Sequence, residues 1–202
     1  MHPSGLFHQT DAAVLTDLVD RRGLALLVGI VEGRPVAVHA PVLLEDRRLR
    51  FHVSRSSALA PALAGGGPLL AVVTGPDAYI SPDWYGQDDQ VPTWNYLSVE
   101  AEGPVRVLDQ AEAGRLIEDL SARFEAALAP KPPWSRAKMT PGRFEALLGG
   151  IIACEMTVER LEGTWKLGQN KPAEARLAVA GALEATGGEG AQALSALLRA
   201  IS

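Results

Sequence analysis

Cysteine is almost absent from this chain of 202 residues, in which Cys154 is the only one. A single thiol excludes an internal disulfide and a thiolate metal cluster. The apolar run around Cys154 predicts a buried, inert thiol rather than a nucleophile. Positive charge is also scarce: the net charge is −5 and the isoelectric point is near 5.4. A protein that binds nucleic acid over its whole surface needs a basic face, so this composition disfavours that class and leaves room only for a local basic patch.

Long hydrophobic runs are missing as well. The first ten residues lack the basic start and the apolar stretch of a signal peptide. No segment approaches the length of a membrane span. We therefore expect a cytoplasmic protein without membrane contact. A chain that is 47% hydrophobic and 21% charged has an ordinary globular balance, and its length can enclose one sizeable core.

The patterning that is present is mostly of the β type. Period-two alternation and β-branched residues predict six strands, at 24–33, 34–45, 49–55, 68–75, 93–109 and 151–163. Helical spacing predicts helices at 11–22, 57–65, 110–129 and 143–148, the third of them capped by Asp109, and two short helices after Pro172. Glu32-Gly33-Arg34 reads as a hairpin turn.

Short connections between these strands indicate an antiparallel sheet. No glycine-rich dinucleotide or phosphate-binding loop follows any strand. The fold class that we predict is mainly β with flanking helices (α+β), in the form of a small closed or split barrel. Residues 1–171 would form this domain, and 172–202 a helical tail packed on it.

Aromatic residues are few, but the stretch from Gly75 to Gly103 holds all three tyrosines and two of the four tryptophans. Proline and glycine interrupt it, so it reads as a loop that leads into a strand beginning near Thr93. Flat rings beside polar side chains suit a planar ligand that forms hydrogen bonds. A surface loop held in place by its own aromatics fits the pattern equally well.

Four segments carry a resemblance to a known family: GPDAYISPDWY (75–85), VPTWNY (91–96), PVAVHAP (35–41) and KLGQN (166–170). In order and spacing they are similar to the PaiB-type FMN-binding negative transcriptional regulators. The resemblance extends from the first helix to about Asn170. It implies an antiparallel FMN-binding split β-barrel, assembled as a homodimer with FMN bound where the subunits meet.

The tetrapeptide Ser54-Arg55-Ser56-Ser57 is the best candidate for an anion site, because amides at a helix start, hydroxyls and a guanidinium would converge there. A capped helix with a solvent-facing arginine explains the same residues. The resemblance implies that this turn lies beside the flavin phosphate, with Ser54, Arg55 and Ser57 as contacts.

Two histidines, His39 and His52, lie on neighbouring predicted strands. Without a third ligand nearby they make a poor zinc site. Ordinary packing and hydrogen bonds to a ligand remain as roles. The resemblance places the strand of His39 beside the isoalloxazine ring, and we include both histidines among the expected FMN contacts.

The strand that begins at Thr93 continues with Trp94 and Asn95. An asparagine amide can read a carbonyl and a ring N–H together, because it offers a donor and an acceptor. Trp94 could pack on a ring or fill an interface, and on the resemblance we include Thr93, Trp94 and Asn95 among the expected FMN contacts.

The C-terminal polar block consists of Lys166, Gln169 and Asn170. Such residues suit a phosphorylated heteroaromatic ligand and suit a polar surface turn equally, and the resemblance alone favours the ligand.

The sequence contains no activated nucleophile and no paired carboxylates that could be placed as an acid–base pair. We expect no catalytic residues, and we expect an FMN-binding regulator rather than an enzyme; the alternative is a flavin-dependent oxidoreductase of the pyridoxamine-phosphate-oxidase-like barrel class. DNA is a candidate partner, because residues 131–143 carry four basic side chains and no acidic one. A solvated linker explains that segment better.

Overall fold

A computed structural model describes residues 2–202, which divide into two compact units. The first unit comprises the residues up to 18 together with 74–100 and 162–202, and the second comprises 19–73 and 101–161. The strands are β1 (His8–Gln9), β2 (Leu24–Val31), β3 (Arg34–Glu45), β4 (Arg48–Ser54), β5 (Pro68–Ile80), β6 (Thr93–Val107), β7 (Ile151–Thr157) and β8 (Arg160–Lys166). The α-helices are α1 (Ala12–Arg22), α2 (Ala60–Ala64), α3 (Gln110–Ala126), α4 (Arg143–Leu148), α5 (Ala173–Thr186) and α6 (Glu189–Ala200).

The strands form one sheet, in which the ladders β1–β8, β2–β3, β2–β5, β3–β4, β4–β7 and β6–β7 are antiparallel. Their hydrogen-bonded order is β1-β8-β6-β5-β2-β3-β4-β7, and β7 pairs in addition with β6. Because β7 also pairs with β6, the strands β6, β5, β2, β3, β4 and β7 are hydrogen-bonded in a continuous ring, as a closed barrel requires. The predicted class, mainly antiparallel β with flanking helices in a split barrel, is confirmed.

The second unit contains the ladders β2–β3, β3–β4 and β4–β7. Alternation sorts its side chains: on β2, Ala25 and Leu27 are buried, while Leu24 and Ile30 point the other way and are more than half exposed. Helix α3 covers part of the outer side of β3 and β7. Its buried Leu116 and Leu120 pack there with Leu43 of β3 and Ala153 of β7.

The first unit contains β1 paired with β8 and the helical hairpin of α5 and α6. The two helices are joined by Glu184, whose carboxylate accepts hydrogen bonds from Arg199 and from the buried Ser195 hydroxyl. Gly190 at the start of α6 lies so close to the Asp77 backbone that a Cβ would sit 2.7 Å from its carbonyl oxygen. No helix among residues 2–202 is long and apolar enough to cross a membrane.

The predicted turn and cap signals are found in the structure. Glu32 and Gly33 form the two-residue β2–β3 turn, both with positive φ as this hairpin type requires. Asp109 caps α3 in a reciprocal box: its carboxylate accepts from the Glu112 amide at 2.8 Å, and the Glu112 carboxylate accepts from the Asp109 amide at 2.9 Å.

Several predicted boundaries are wrong. Residues 151–163 are two strands, because the backbone at Val158 and Glu159 leaves the ladder to bond Arg47 and Glu102. Strand β5 continues to Ile80 through the proline that was expected to end it, since proline removes a donor but not an extended backbone. Helix α2 begins at Ala60 rather than near residue 57, and α3 ends at Ala126.

A close backbone approach at Gly103 yields a stability prediction. A Cβ there would lie 1.8 Å from the Thr157 carbonyl oxygen, so Gly103→Ala should lower the free energy of unfolding by more than about 3 kcal/mol, or prevent folding. Gly181, inside α5, has nothing within 4 Å of a built Cβ. Gly181→Ala should therefore stabilise by about 0.5–1 kcal/mol.

Chemical denaturation of the two variants beside wild type measures both effects. Equal behaviour of the two alanine variants would contradict the prediction.

Candidate functional site

Five of the predicted contact residues lie in the second unit, on β3, β4 and the turn after β4. The β3–β4 ladder pairs Val42 with Phe51 and Leu43 with Arg50, so His39 and His52 are not cross-strand partners. His39 is paired with Leu26 of β2 and is exposed. His52 is paired with Ala153 of β7 and is half-buried.

The His52 ring carries a buried nitrogen, Nδ1, without a hydrogen-bond partner. Burial lowers the pKa of the imidazole, because the charged form loses hydration and gains nothing in return. The ring is therefore neutral near neutral pH, and one polar atom remains to be satisfied.

The turn after β4 gathers three hydroxyls. Ser54 and Ser56 share a hydrogen bond of 2.8 Å, and the Ser57 hydroxyl accepts from the Leu59 amide. Ser57 does not cap α2, which has only five residues and no side-chain cap. The anion site predicted here therefore lacks the helix start on which part of the expectation rested; the hydroxyls remain.

Arg55 lies in this turn, and two of its three guanidinium nitrogens donate hydrogen bonds to backbone carbonyls. Its Nε donates to the Gly149 carbonyl at 2.9 Å and its Nη2 to the Ile151 carbonyl at 3.0 Å, while its backbone amide bonds Gly150. The arginine thus fastens the α4–β7 connection to the end of β4, and Nη1 is the guanidinium nitrogen that forms no hydrogen bond with residues 2–202.

The other six predicted residues lie in the first unit. Along β6, Trp94 is 53% exposed and meets the ring of Tyr79 edge-on at 6.3 Å between centroids. Asn95 points to the opposite face and is only 2% exposed. Its Oδ1 is buried and has no hydrogen-bond partner.

The C-terminal block holds the start of β6. Lys166 donates to the Thr93 hydroxyl at 2.5 Å, and burial lowers the pKa of this ammonium. Gln169 folds back on its own turn: its Oε1 accepts from the Leu167 amide, and its Nε2 donates to the Trp165 carbonyl. Asn170 is exposed in the turn that follows.

Two further residues belong to this arrangement and were not predicted. Lys171 donates to Gln90 and lies 5.0 Å from the ring centroid of Tyr85, which fastens the aromatic segment to the tail. Arg176 in turn donates to the Lys171 carbonyl at 2.6 Å and the Ile201 carbonyl at 2.8 Å. The only available signal was that KLGQN is followed by a lysine, which does not reveal its partners.

The five predicted residues of the second unit and the six of the first form two groups, and the polar atoms of both groups are consistent with binding a flavin. The buried, unpartnered side-chain atoms found in residues 2–202 are His52 Nδ1 and Asn95 Oδ1, one in each group. Leaving such an atom unpaired costs about 1–3 kcal/mol, and a ligand that supplies the partner recovers that cost. FMN offers ring N–H and carbonyl groups for these positions and a phosphate for hydroxyls.

Other chemistry finds little support in the described part of the chain. Residues 2–202 contain no group of three His, Cys, Asp or Glu side chains arranged to hold a metal. Burial raises the pKa of the Cys154 thiol to about 12, so it is protonated and unreactive at physiological pH, as predicted.

The lowered pKa of His52 predicts a pH dependence of stability. The folded protein protonates this ring less readily than the unfolded chain does, so its neutral form supports folding fully above a pH of about 6.5. Below that value the free energy of unfolding falls as the pH approaches the folded pKa. His52→Phe removes this term, and the difference between wild type and variant should shift in the variant's favour from pH 7.5 to 5. An unchanged difference would contradict the prediction.

The chain is similar in sequence and in structure to several known proteins. The protein "Protease synthase and sporulation protein PAI 2" of Bacillus subtilis is 26% identical over 175 residues, which cover 82% of this chain and 80% of the relative. Among solved structures, the flavocytochrome Anf3 of Azotobacter vinelandii is similar with a TM-score of 0.65 and 14% identity, over 82% of this chain and 72% of the other. The FAD and heme binding protein of Mycobacterium smegmatis has a TM-score of 0.61 and 21% identity, over 80% and 74%.

The family described as "Putative FMN-binding domain" matches residues 1–160. That match and the similarity to PAI 2 confirm the resemblance seen in the four sequence segments, and they confirm the expectation of a flavin cofactor. The chain belongs to this family of FMN-binding domains.

Proposed function

We propose that this protein is a homodimeric FMN-binding regulator of transcription of the PaiB type, and that both residue groups contact the flavin. One observation supports flavin binding most directly. His52 and Asn95 are both predicted from the sequence as FMN contacts, and His52 Nδ1 and Asn95 Oδ1 are both buried without a hydrogen-bond partner. A chain that bound nothing there would bear the cost of two unsatisfied groups.

In this proposal one set of residues binds the FMN phosphate and another binds the isoalloxazine ring. The hydroxyls of Ser54 and Ser57 and the remaining Nη1 of Arg55 would bind the phosphate. Asn95 Oδ1 would accept from a ring N–H, and Lys166 would hold Thr93 and the start of β6 in place. FMN, when bound, supplies a flat ring that can accept and release electrons.

An apolar outer sheet face supports the homodimer. Cross-strand partners share a face, and the β2–β3 ladder pairs Leu26 with His39, Val28 with Ala37 and Ile30 with Pro35. On the other side of β2, Leu26 pairs with Val72 and Val28 with Leu70. An apolar strip three strands wide, with Ile30 61% exposed, is typical of an isologous interface. Since His39 lies within it, a second copy on this face would also border the flavin.

The regulatory role rests on the resemblance to PaiB-type proteins and requires DNA or another partner of the transcription machinery. The basic segment 131–143 gives that role little support. Lys131 is ion-paired with Glu125 and Arg136 with Glu118, so two of its four charges are already neutralised by α3.

Two measurements on the FMN-loaded protein decide between regulation and redox catalysis. A regulator should bind promoter-containing DNA fragments with an affinity that falls steeply with salt. An oxidoreductase should instead show substrate-dependent bleaching and return of the flavin absorbance under NADH or NADPH. Bleaching with turnover and no DNA binding would replace the proposed role by the alternative.

Substituting Asn95 tests two effects separately: the destabilisation of the apo protein by the unpaired Oδ1, and the contribution of the same atom to FMN binding. Asn95→Leu keeps a similar shape and removes the unpaired acceptor, so the free energy of unfolding of the apo protein should stay equal or rise by about 1 kcal/mol. The affinity for FMN and that for riboflavin should both fall roughly three- to tenfold, because both ligands carry the ring.

Arg55→Ala is the complementary variant. It should weaken FMN about tenfold to a hundredfold and leave riboflavin unchanged, if its free Nη1 contacts the phosphate. Calorimetric titrations of both ligands into both variants test the assignment. If Arg55→Ala lowers the thermal midpoint and weakens both ligands equally, the arginine only fastens the α4–β7 connection.

The dimer is tested at the centre of the apolar face. Ile30→Asp should convert a species of twice 21.4 kDa into one of 21.4 kDa in light scattering, and should weaken FMN binding in parallel. Leu147→Asp is the matched control, since Leu147 is 48% exposed on α4 of the same unit and lies outside the face. A wild-type mass of one chain at high concentration would refute the dimer.

A further inference from the structure

The C-terminal tail of the first unit is fastened at its base by Arg176. This guanidinium donates a hydrogen bond to the Lys171 carbonyl at 2.6 Å. It also donates to the Ile201 carbonyl at 2.8 Å and to the Ser202 hydroxyl at 3.2 Å. One side chain near the start of α5 therefore joins the segment before that helix to the end of α6. The Lys171 amide donates to the Gly168 carbonyl at 2.9 Å, so the backbone that carries the Lys171 side chain is held on both sides.

From this fixed backbone the Lys171 side chain reaches the aromatic segment. Its ammonium donates to the side-chain carbonyl of Gln90 and lies 5.0 Å from the ring centroid of the buried Tyr85. We call these two contacts the Lys171 clamp. The Gln90 amide nitrogen donates in turn to the Asp88 carbonyl at 2.9 Å. Asp89, between them, has a φ of 58°, a strained conformation that persists because the surrounding bonds determine it.

Lys166 holds the other end of the same connection, where it donates to the Thr93 hydroxyl at 2.5 Å. The two residues between this anchor and Gln90 are exposed, and Val91 is 72% exposed. Because burial contributes little here, we attribute the conformation of the connection to the bonds at its two ends. The connection leads directly to Asn95, whose buried and unpaired Oδ1 is an expected partner of the flavin ring.

We propose that Lys171 is a positioning residue for the flavin ring: it holds the connection 86–92 in one conformation and thereby fixes Asn95 before the ligand arrives. A contact that is already ordered loses less conformational entropy on binding, so it adds more to the affinity. The role toward the ring rests on the proposed function, because Asn95 must meet the flavin there. The clamp itself rests on bonds within the first unit.

Replacement of the ammonium tests the positioning role. Lys171→Met keeps most of the aliphatic stem, and the affinities for FMN and riboflavin should both fall about three- to tenfold, because both ligands carry the ring. Lys171→Arg keeps a cationic donor near Gln90 and should restore most of the loss. At saturating ligand, the visible circular dichroism of the bound flavin, which reports the surroundings of the ring, should change in the methionine variant.

Two further variants separate positioning from general stability. Gln90→Leu removes the acceptor, so its effect should match that of Lys171→Met, and the double variant should bind no more weakly than either single variant. Arg199→Met removes the ion pair with Glu184 that joins α5 to α6 and leaves the clamp in place. This matched control should lower the thermal midpoint without changing either flavin affinity.

Hydrogen exchange on the apo protein tests the clamp without any ligand. In Lys171→Met the amides of residues 86–93 should exchange faster, whereas those of β3 and β4 in the second unit should not. Unchanged exchange in 86–93 overturns the clamp.

The titrations distinguish a failure of this inference from a failure of the proposed function. If wild type binds neither FMN nor riboflavin, the proposed function fails and the role of Lys171 toward the ring fails with it. If wild type binds both and Lys171→Met loosens 86–93 without weakening either, only the positioning role is wrong. Weaker FMN with unchanged riboflavin would assign Lys171 to the phosphate instead. Equal weakening by Arg199→Met would mean that the tail supports the fold in general.

Discussion

The barrel depends on a place where two backbones come too close for any side chain. At Gly103 a Cβ would lie 1.8 Å from the Thr157 carbonyl oxygen. Directly after it, β6 enters the ladder with β7, where Val105 pairs with Met156. Beside it, the Glu159 amide donates to the Glu102 carbonyl. This second pairing of β6 and β7 returns the strand order to its start, so glycine is needed for packing at this position rather than for backbone freedom.

Barrel closure also explains why the candidate site has two kinds of surface. A closed barrel buries one side chain in two along each strand, and the outer side can face water unless it is apolar, in which case helices, a ligand or another chain cover it. Helix α3 covers Leu43 and Ala153, whereas Ile30 and His39 are exposed to solvent. The uncovered face is apolar, which favours a protein partner over water. The predicted flavin contact His39 lies on it.

Several basic side chains are paired with carboxylates, so the number of basic residues in the sequence says little about whether the protein binds an anionic partner. Arg50 bonds Glu45 and Asp119, each at 2.7 Å, and Arg106 bonds Glu112 and Glu155. These side chains are partly exposed, so the pairs add little stability, but they remove basic charge from the surface. The same holds within the basic segment 131–143. An electrostatic DNA footprint cannot be read from this sequence, because the structure pairs its cations with nearby carboxylates.

Local signals in the sequence determined the strands of the barrel, the Glu32-Gly33 turn and the Asp109 capping box, since alternation, turn chemistry and capping act over a few residues. The four sequence segments also identified the family. Only the tertiary structure decided that 151–163 breaks in two, because the atoms that end the strand belong to Arg47 and Glu102. It likewise decided that Asn95 is buried with an unpaired oxygen while its neighbour Trp94 is exposed, and that Lys171 holds Gln90. Each of these depends on partners distant in the chain, and hydrogen-bond satisfaction and burial exist only once those partners have met.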